Sequence, residues 1–213
     1  MKHLLKALII LPSVVFSQSP EDILGKAIQY HDPNEKWNTL ETTLHFTETR
    51  PDGSERKALI YLNNLNGSMK INRNDEEAYE VKGDESFVIK GEYDEARGLR
   101  LRNYYLYLWG LPMKLLDEGT PKIEEVEDES IDGEATKVLR VAYEKDTWYF
   151  NFDKQTGRML QYRFYKDEAA GKGELITLED EIMVNGIKIP QKRSWYTLPE
   201  MKYLGTDILS RIE

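Results

Sequence analysis

The chain has no cysteine and only three histidines among its 213 residues. The first absence excludes disulfides, thiol nucleophiles and thiolate metal sites, and leaves stability to a packed core. It also removes the acylated cysteine that anchors a lipoprotein. No apolar run reaches the roughly 20 residues needed to cross a bilayer as a helix. Positive charge is in short supply as well: 29 Lys and Arg face 38 Asp and Glu, a formal net charge of −9. Such a surface repels nucleic acid and anionic membranes, although an acidic excess is also an ordinary solubility device.

The N-terminus has a pattern of its own. The first seventeen residues read MKHLLKALIILPSVVFS, with a basic start at Lys2, His3 and Lys6, an apolar run from Ala7 to Phe16, and the small Ser17 before Gln18. This is the form of a secretory signal peptide cleaved after Ser17; the alternative is an anchor that stays attached. Residues 18–213 are then a single domain, periplasmic or secreted, large enough to bury a core without staples.

Ser19-Pro20-Glu21-Asp22 reads as a helix start, with a capping serine, proline in the first turn and acidic residues at the positive end of the dipole. Ile23, Leu24, Ala27, Ile28 and Tyr30 form its apolar face, and Asp32-Pro33 ends it. From Trp37 onward the period changes to two. Leu40, Thr42, Leu44 and Phe46 alternate, as do Leu59 with Tyr61, Trp148 with Phe150 and Phe152, Leu160 with Tyr162 and Phe164, and Leu204, Thr206, Ile208, Ser210 and Ile212. Pro51-Asp52-Gly53, Asn66-Gly67, Asp132-Gly133, Thr156-Gly157 and Asn185-Gly186 supply hairpin turns. These segments predict a mainly β (α+β) protein of about eleven antiparallel strands, more than a flat sheet usually holds, hence a strongly curved sheet or half-barrel. The stretch 103–116 is the exception: apolar and aromatic nearly all round, it predicts a short helix interrupted at Gly110-Leu111-Pro112. A helix of this kind plugs a core or covers an apolar opening, and both place it in the concavity.

Ala27-Ile-Gln-Tyr-His-Asp-Pro33, Leu44-His-Phe-Thr-Glu-Thr-Arg-Pro-Asp-Gly53, Trp148-Tyr-Phe-Asn-Phe-Asp153, Tyr162-Arg-Phe-Tyr-Lys-Asp167 and Val184-Asn-Gly-Ile-Lys-Ile-Pro190 resemble an uncharacterised family of exported Gram-negative proteins. The likeness spans nearly the whole mature chain and brings no activity with it. The family's layout is similar in turn to the periplasmic lipoprotein carriers of the LolA/LolB type. That similarity implies an open half-barrel whose apolar interior holds acyl chains beneath a helical lid, and it gives the 103–116 segment a role.

Catalytic patterns are sparse. His31-Asp32 fits a helix stop better than a relay, since sequence neighbours seldom point at each other. His45 sits on a predicted strand, and there is no Gly-x-Ser-x-Gly elbow, HExxH pair or calcium loop. Glu124-Glu125-Val126-Glu127-Asp128-Glu129 suits the solvent face of an edge strand, where charge discourages sheet-to-sheet pairing. Gly171-Lys-Gly173 lacks the spacing of a phosphate loop and reads as a turn. No catalytic residue, metal site or cofactor is assigned. The expected activity is non-enzymatic binding or transport of a hydrophobic molecule, lipid, acyl chain or lipoprotein. Trp37, Leu108, Trp109, Phe150, Tyr162, Phe164 and Trp195 form the expected wall, because large rings bury area without demanding exact hydrogen-bond geometry. Two alternatives stay open: an envelope protein-interaction module with a filled core, and a hydrolase built on His31 or His45.

Overall fold

The computed structural model describes residues 18–92 and 94–213. The signal segment 1–17 and its cleavage point lie outside them. The described chain is mostly β: one antiparallel sheet of twelve strands, curved and unclosed, with few helices. No described helix is long and apolar enough to cross a membrane.

Two meanders build the sheet. β1 (Glu41–Thr49), β2 (Glu55–Asn63), β3 (Ser68–Arg73), β4 (Glu77–Lys82) and β5 (Glu85–Lys90) step outward in one direction. β6 (Ile123–Ile131), β7 (Glu134–Ala142), β8 (Thr147–Asp153), β9 (Met159–Asp167), β10 (Lys172–Val184), β11 (Ile187–Leu198) and β12 (Tyr203–Ile212) step back, and β12 pairs with β1. The two edges are therefore β5 and β6. Acidic residues line the β6 edge, and several are matched from neighbouring strands: Lys137 reaches Glu125 and Asp128, and Arg163 reaches Glu129. Asn185-Gly186 has the positive φ angles of 50° and 87° that a tight hairpin turn between twisted strands requires.

Parity follows the hydrophobic pattern through most of the sheet. Leu40, Thr42, Leu44 and Phe46 are all buried. Two details of the expected pattern change at irregular pairings. Trp148 faces Phe164 and Phe150 faces Tyr162, but a bulge after Asn151 pairs Phe152 with Met159, so Met159 takes the buried place expected for Leu160. A second bulge, between His45 and Phe46, sets Phe46 opposite Leu209. The inward face of β12 is thereby Gly205, Asp207 and Leu209, opposite to the expected Leu204, Thr206 and Ile208. Twelve strands form where about eleven were expected.

α1 (Pro20–His31) begins in a capping box: Asp22 N donates to Ser19 Oγ at 3.1 Å and Ser19 N to Asp22 Oδ2 at 3.1 Å. Ile23, Leu24, Ala27 and His31 are buried. His31 and Asp32 have separate structural tasks. His31 Nδ1 donates to Lys188 O at 2.8 Å while Nε2 accepts from Met159 N at 3.0 Å, tying the helix to β11 and β9. Asp32 accepts from the backbone N of Lys36 and of Trp37, both at 2.8 Å.

Since β5 and β6 are opposite edges, the chain between them has to travel the breadth of the sheet. It does so over the concave face, as α2 (Glu95–Arg102), a π-helical turn (Asn103–Leu108) and a 3₁₀ turn (Met113–Leu116). α2 lies on β3, β4 and β5, and the following turn reaches β1, where Phe46 contacts Tyr105 and Trp109 with ring centres 5.2 and 4.6 Å apart. The helix stops at Gly110 for a packing reason. A Cβ there would sit 2.4 Å from the Trp37 ring and 2.7 Å from Leu106 O, so only glycine lets the turn close on Trp37. Gly110→Ala is expected to lower stability by about 1–3 kcal/mol through overpacking; urea unfolding of the two proteins checks this, and an unchanged midpoint overturns it.

Candidate ligand-binding cleft

One side of the concavity is filled and the other is open. The filled side contains Trp109, Tyr105, Phe150 and Tyr162, all fully buried. The open side is a cleft of about 860 Å³ between the helical crossing and β8 to β12. Tyr104, Tyr107 and Leu108 form its roof, Trp148, Phe164 and Trp195 the sheet wall, and Leu204 and Gly205 one end. Arg50, Arg100, Asn103, Asp146 and Glu174 also line it.

The rings are held by their polar atoms, which leaves their faces to the cleft. Tyr104 OH donates to Asp207 Oδ2, and Trp195 Nε1 donates to the same oxygen at 2.8 Å. The two rings stack with centres 5.6 Å apart. Trp148 Nε1 donates to Asp146 at 2.6 Å, the Tyr107 and Tyr143 hydroxyls share a bond of 2.6 Å, and the Trp148 and Phe164 rings stack at 4.7 Å. Aromatic walls of this kind, fixed by hydrogen bonds at their edges, present a preformed surface for apolar or cationic groups.

Beneath the cleft lies a charged layer. Glu48 is fully buried; it accepts from Tyr105 OH, from Arg56 Nε at 2.6 Å and from Arg73 Nη2 at 3.3 Å. Arg73 continues to Glu77 at 2.8 Å, and Glu77 to Arg97 of α2 at 2.6 Å. Arg193, also fully buried, donates from Nη1 to Leu108 O and, at 3.2 Å, to Tyr162 OH; its guanidinium carbon lies 4.1 Å from the centre of the Trp109 ring. On the facing strand its register partner is Asp207. These charges bind the crossing segment to both meanders.

Burial governs the protonation of this layer. It pushes Asp207 up to about 6, opposed in part by the Tyr104 hydrogen bond and reinforced by Glu48. Burial raises Glu48 too, against the Tyr105 bond and Arg73. The phenols of Tyr104, Tyr105 and Tyr107 are held above their ordinary range by burial, so they remain neutral donors. His31 is pushed down to about 4 by burial.

Of the seven residues expected in the wall, Leu108, Phe164 and Trp195 line the cleft. Trp109, Phe150 and Tyr162 are in the packed layer beside it, and Trp37 lies under Gly110, away from it. The other lining residues were not among those expected, Tyr104, Tyr107, Trp148 and Glu174 included. Trp148 shares the parity of Phe150 and was within reach of the pattern; the roof tyrosines depended on which side of the crossing faces out. Of the two catalytic candidates, His31 has both ring nitrogens engaged with backbone and His45 lies 3.3 Å from Glu213. Among the described residues no three His, Asp or Glu side chains group as a metal site.

Residues 95–213 match the model of a family of unknown function, DUF6503. The chain belongs to that family. Its fold is shared with solved structures. A LolA superfamily protein from Nitrosomonas europaea superposes with a TM-score of 0.60 at 13% identity, over 92% of this chain and 94% of that one. A domain described as an outer membrane lipoprotein-sorting protein, from Vibrio parahaemolyticus, superposes with a TM-score of 0.59 at 14% identity, over 91% and 92%. Identity at this level speaks for the fold alone. No curated protein matches the chain in sequence. The DUF6503 match covers the crossing helix and the whole second meander, the parts that build most of the cleft.

His31 and Asp207 impose opposite pH dependences. An unfolded histidine takes up its proton near 6.5 while folded His31 resists until about 4, so the unfolded state binds more protons and stability falls as pH drops through this window. Folded Asp207 takes up its proton near 6, before an unfolded aspartate near 3.8, so its contribution rises as pH drops. Asp207→Asn removes the second effect. Its stability is expected to fall more steeply than wild type between pH 6 and 4, by up to about 1 kcal/mol per pH unit. Urea midpoints measured across that range check this; parallel profiles overturn it.

Proposed function

We propose that the chain is an exported, non-enzymatic binding or carrier protein for a hydrophobic ligand: a lipid, a free acyl chain or the acyl chains of a lipoprotein. The observation that carries the reading is the preformed aromatic cleft between the helical crossing and the sheet, with a volume of about 860 Å³, within the range of about 300–1,000 Å³ usual for small-molecule sites. Each methylene taken from water into such a cleft is worth about 0.8 kcal/mol, so an acyl chain supplies ample driving force without directed polar contacts. The LolA-like fold and the signal-peptide pattern support the same reading and, with it, a periplasmic or secreted location. Trp148, Phe164 and Trp195 form the sheet wall of the site, with Leu108 above them. Phe150 and Tyr162 pack against Trp148 and hold that wall from behind, while Trp109 and Trp37 belong to the packed side of the crossing.

A second reading, an envelope interaction module, has one observation in its favour. The outer face of edge strand β5 exposes Phe87 (50%) and Ile89 (64%), and this strand carries one acidic residue, Glu85, where β6 carries five.

Native mass spectrometry of protein purified from its own cells without detergent, followed by organic extraction, separates the two. The carrier reading expects a stoichiometric acyl-containing adduct, reduced about tenfold or more in Trp148→Ala, a change that removes wall area without entering the packed layer. Circular dichroism confirms that the variant is folded. A clean unliganded mass that persists after incubation with fatty acids and phospholipids sinks the carrier and leaves the β5 edge as the place to look.

A further inference from the structure

Glu174 is the one carboxylate of the cleft that the fold leaves without a contact. It lies on β10 opposite Phe164 of β9, in the row that begins with Trp148 on β8. It is half-buried, and among the described residues no hydrogen bond or ion pair holds it; the charge of Lys166 favours its ionised form, and Glu174 in turn acts on the Tyr162 phenol. The other charged groups of the cleft are occupied. Arg100 pairs with Asp94 at 2.9 Å, Arg50 approaches Glu48 at 3.4 Å, and Asp146 holds the Trp148 indole.

An anion in this position is costly unless something answers it, because the surrounding rings replace its hydration without offering a donor. The tyrosine hydroxyls of the roof are engaged elsewhere, Tyr104 with Asp207 and Tyr107 with Tyr143. Besides the Asn103 amide and the two paired arginines, the cleft is lined by aromatic rings, whose faces carry negative quadrupoles, and by the Glu174 carboxylate. Both features favour the same partner: an organic cation, whose charge is attracted by ring faces and by carboxylate together. A metal ion would demand more oxygen ligands than Glu174 can supply.

We propose that Glu174, with the rings of Trp148 and Phe164 beside it, binds the ammonium group of an amphiphile whose acyl chain fills the rest of the cleft. This deepens the carrier reading and rests on it: the chain provides affinity, and Glu174 selects the head. Arg50 and Arg100 at the lining keep their own carboxylate partners and do not make the site select for anions.

The test compares lysophosphatidylcholine with lysophosphatidylglycerol of the same acyl length, both below micelle formation, by tryptophan fluorescence of the mature protein, with free choline as a third ligand. The two lipids share chain and phosphate and differ in the ammonium group. Wild type is expected to bind the choline lipid about tenfold more tightly, Glu174→Gln to lose that preference while keeping its affinity for the glycerol lipid, and Glu174→Lys to reverse it. Equal affinity for the two lipids in wild type, or a preference that survives in Glu174→Gln, overturns the assignment of Glu174 and leaves the carrier standing. Free choline binding as tightly as its lipid overturns the amphiphile and makes the site one for a small cation. No binding of either lipid overturns the carrier reading and this inference with it.

Discussion

The concave side is organised by one topological constraint: β1 pairs with β12, so the strands that the crossing segment joins are the two edges of the sheet. The segment cannot go round; it goes across. A chain laid over an apolar concavity has to bury its own side chains and still satisfy its backbone. Residues 103–116 meet both needs. Their apolar and aromatic side chains fill one side of the sheet, and the carbonyl of Leu108, freed where the helix breaks, receives Arg193. The cleft is the space the crossing does not fill.

The charged layer explains why the crossing lies where it does. Tyr104 reaches Asp207 on β12, Tyr105 reaches Glu48 on β1, and Leu108 is held by Arg193 on β11. Compared with a well-packed apolar core, buried charges of this kind add little net stability. Their effect lies in the cost of alternatives, since moving the segment by one residue would break the hydroxyl bonds to the buried carboxylates Glu48 and Asp207 and leave part of their hydrogen-bonding capacity unmet. The ion pairs from Arg73 through Glu77 to Arg97 do the same for α2. Placement of the roof, and so the width of the cleft, is set by electrostatics as much as by packing.

The same layer was partly legible before the fold was known. Alternation in β1 runs through Thr42, Leu44 and Phe46, and extending it by one step puts Glu48 inside; in β3, Met69 and Ile71 lead in the same way to Arg73, and in β11 Ile187 and Ile189 lead to Arg193. A reading that follows only apolar residues stops one step short in β1 and β3 and two steps short in β11, where Gln191 intervenes. Asp207 was out of reach, because the bulge at His45/Phe46 reverses the parity that β12 shows on its own. The aromatic residues behaved similarly. Phe164 and Trp195 were placed on the concave face by alternation, yet Phe150 and Tyr162 share that face and lie in the packed layer with Trp109 of the crossing, a distinction that depends on where the roof ends.

By itself, the sequence determined the capped helix and its stop at Asp32-Pro33, the antiparallel hairpins with their turns, and the acidic β6 strand, because each follows from interactions between residues close together along the chain. It also determined that so many strands must curve. Only the tertiary structure decided that the two meanders close on each other through β1 and β12, that Asp207 faces inward, and that Glu174 makes no hydrogen bond or ion pair among the described residues. Those properties depend on strand register and on contacts between residues as much as a hundred positions apart, as in the bond from Tyr104 to Asp207. Local pattern restricts such contacts without choosing among them, and packing of the whole sheet makes the choice.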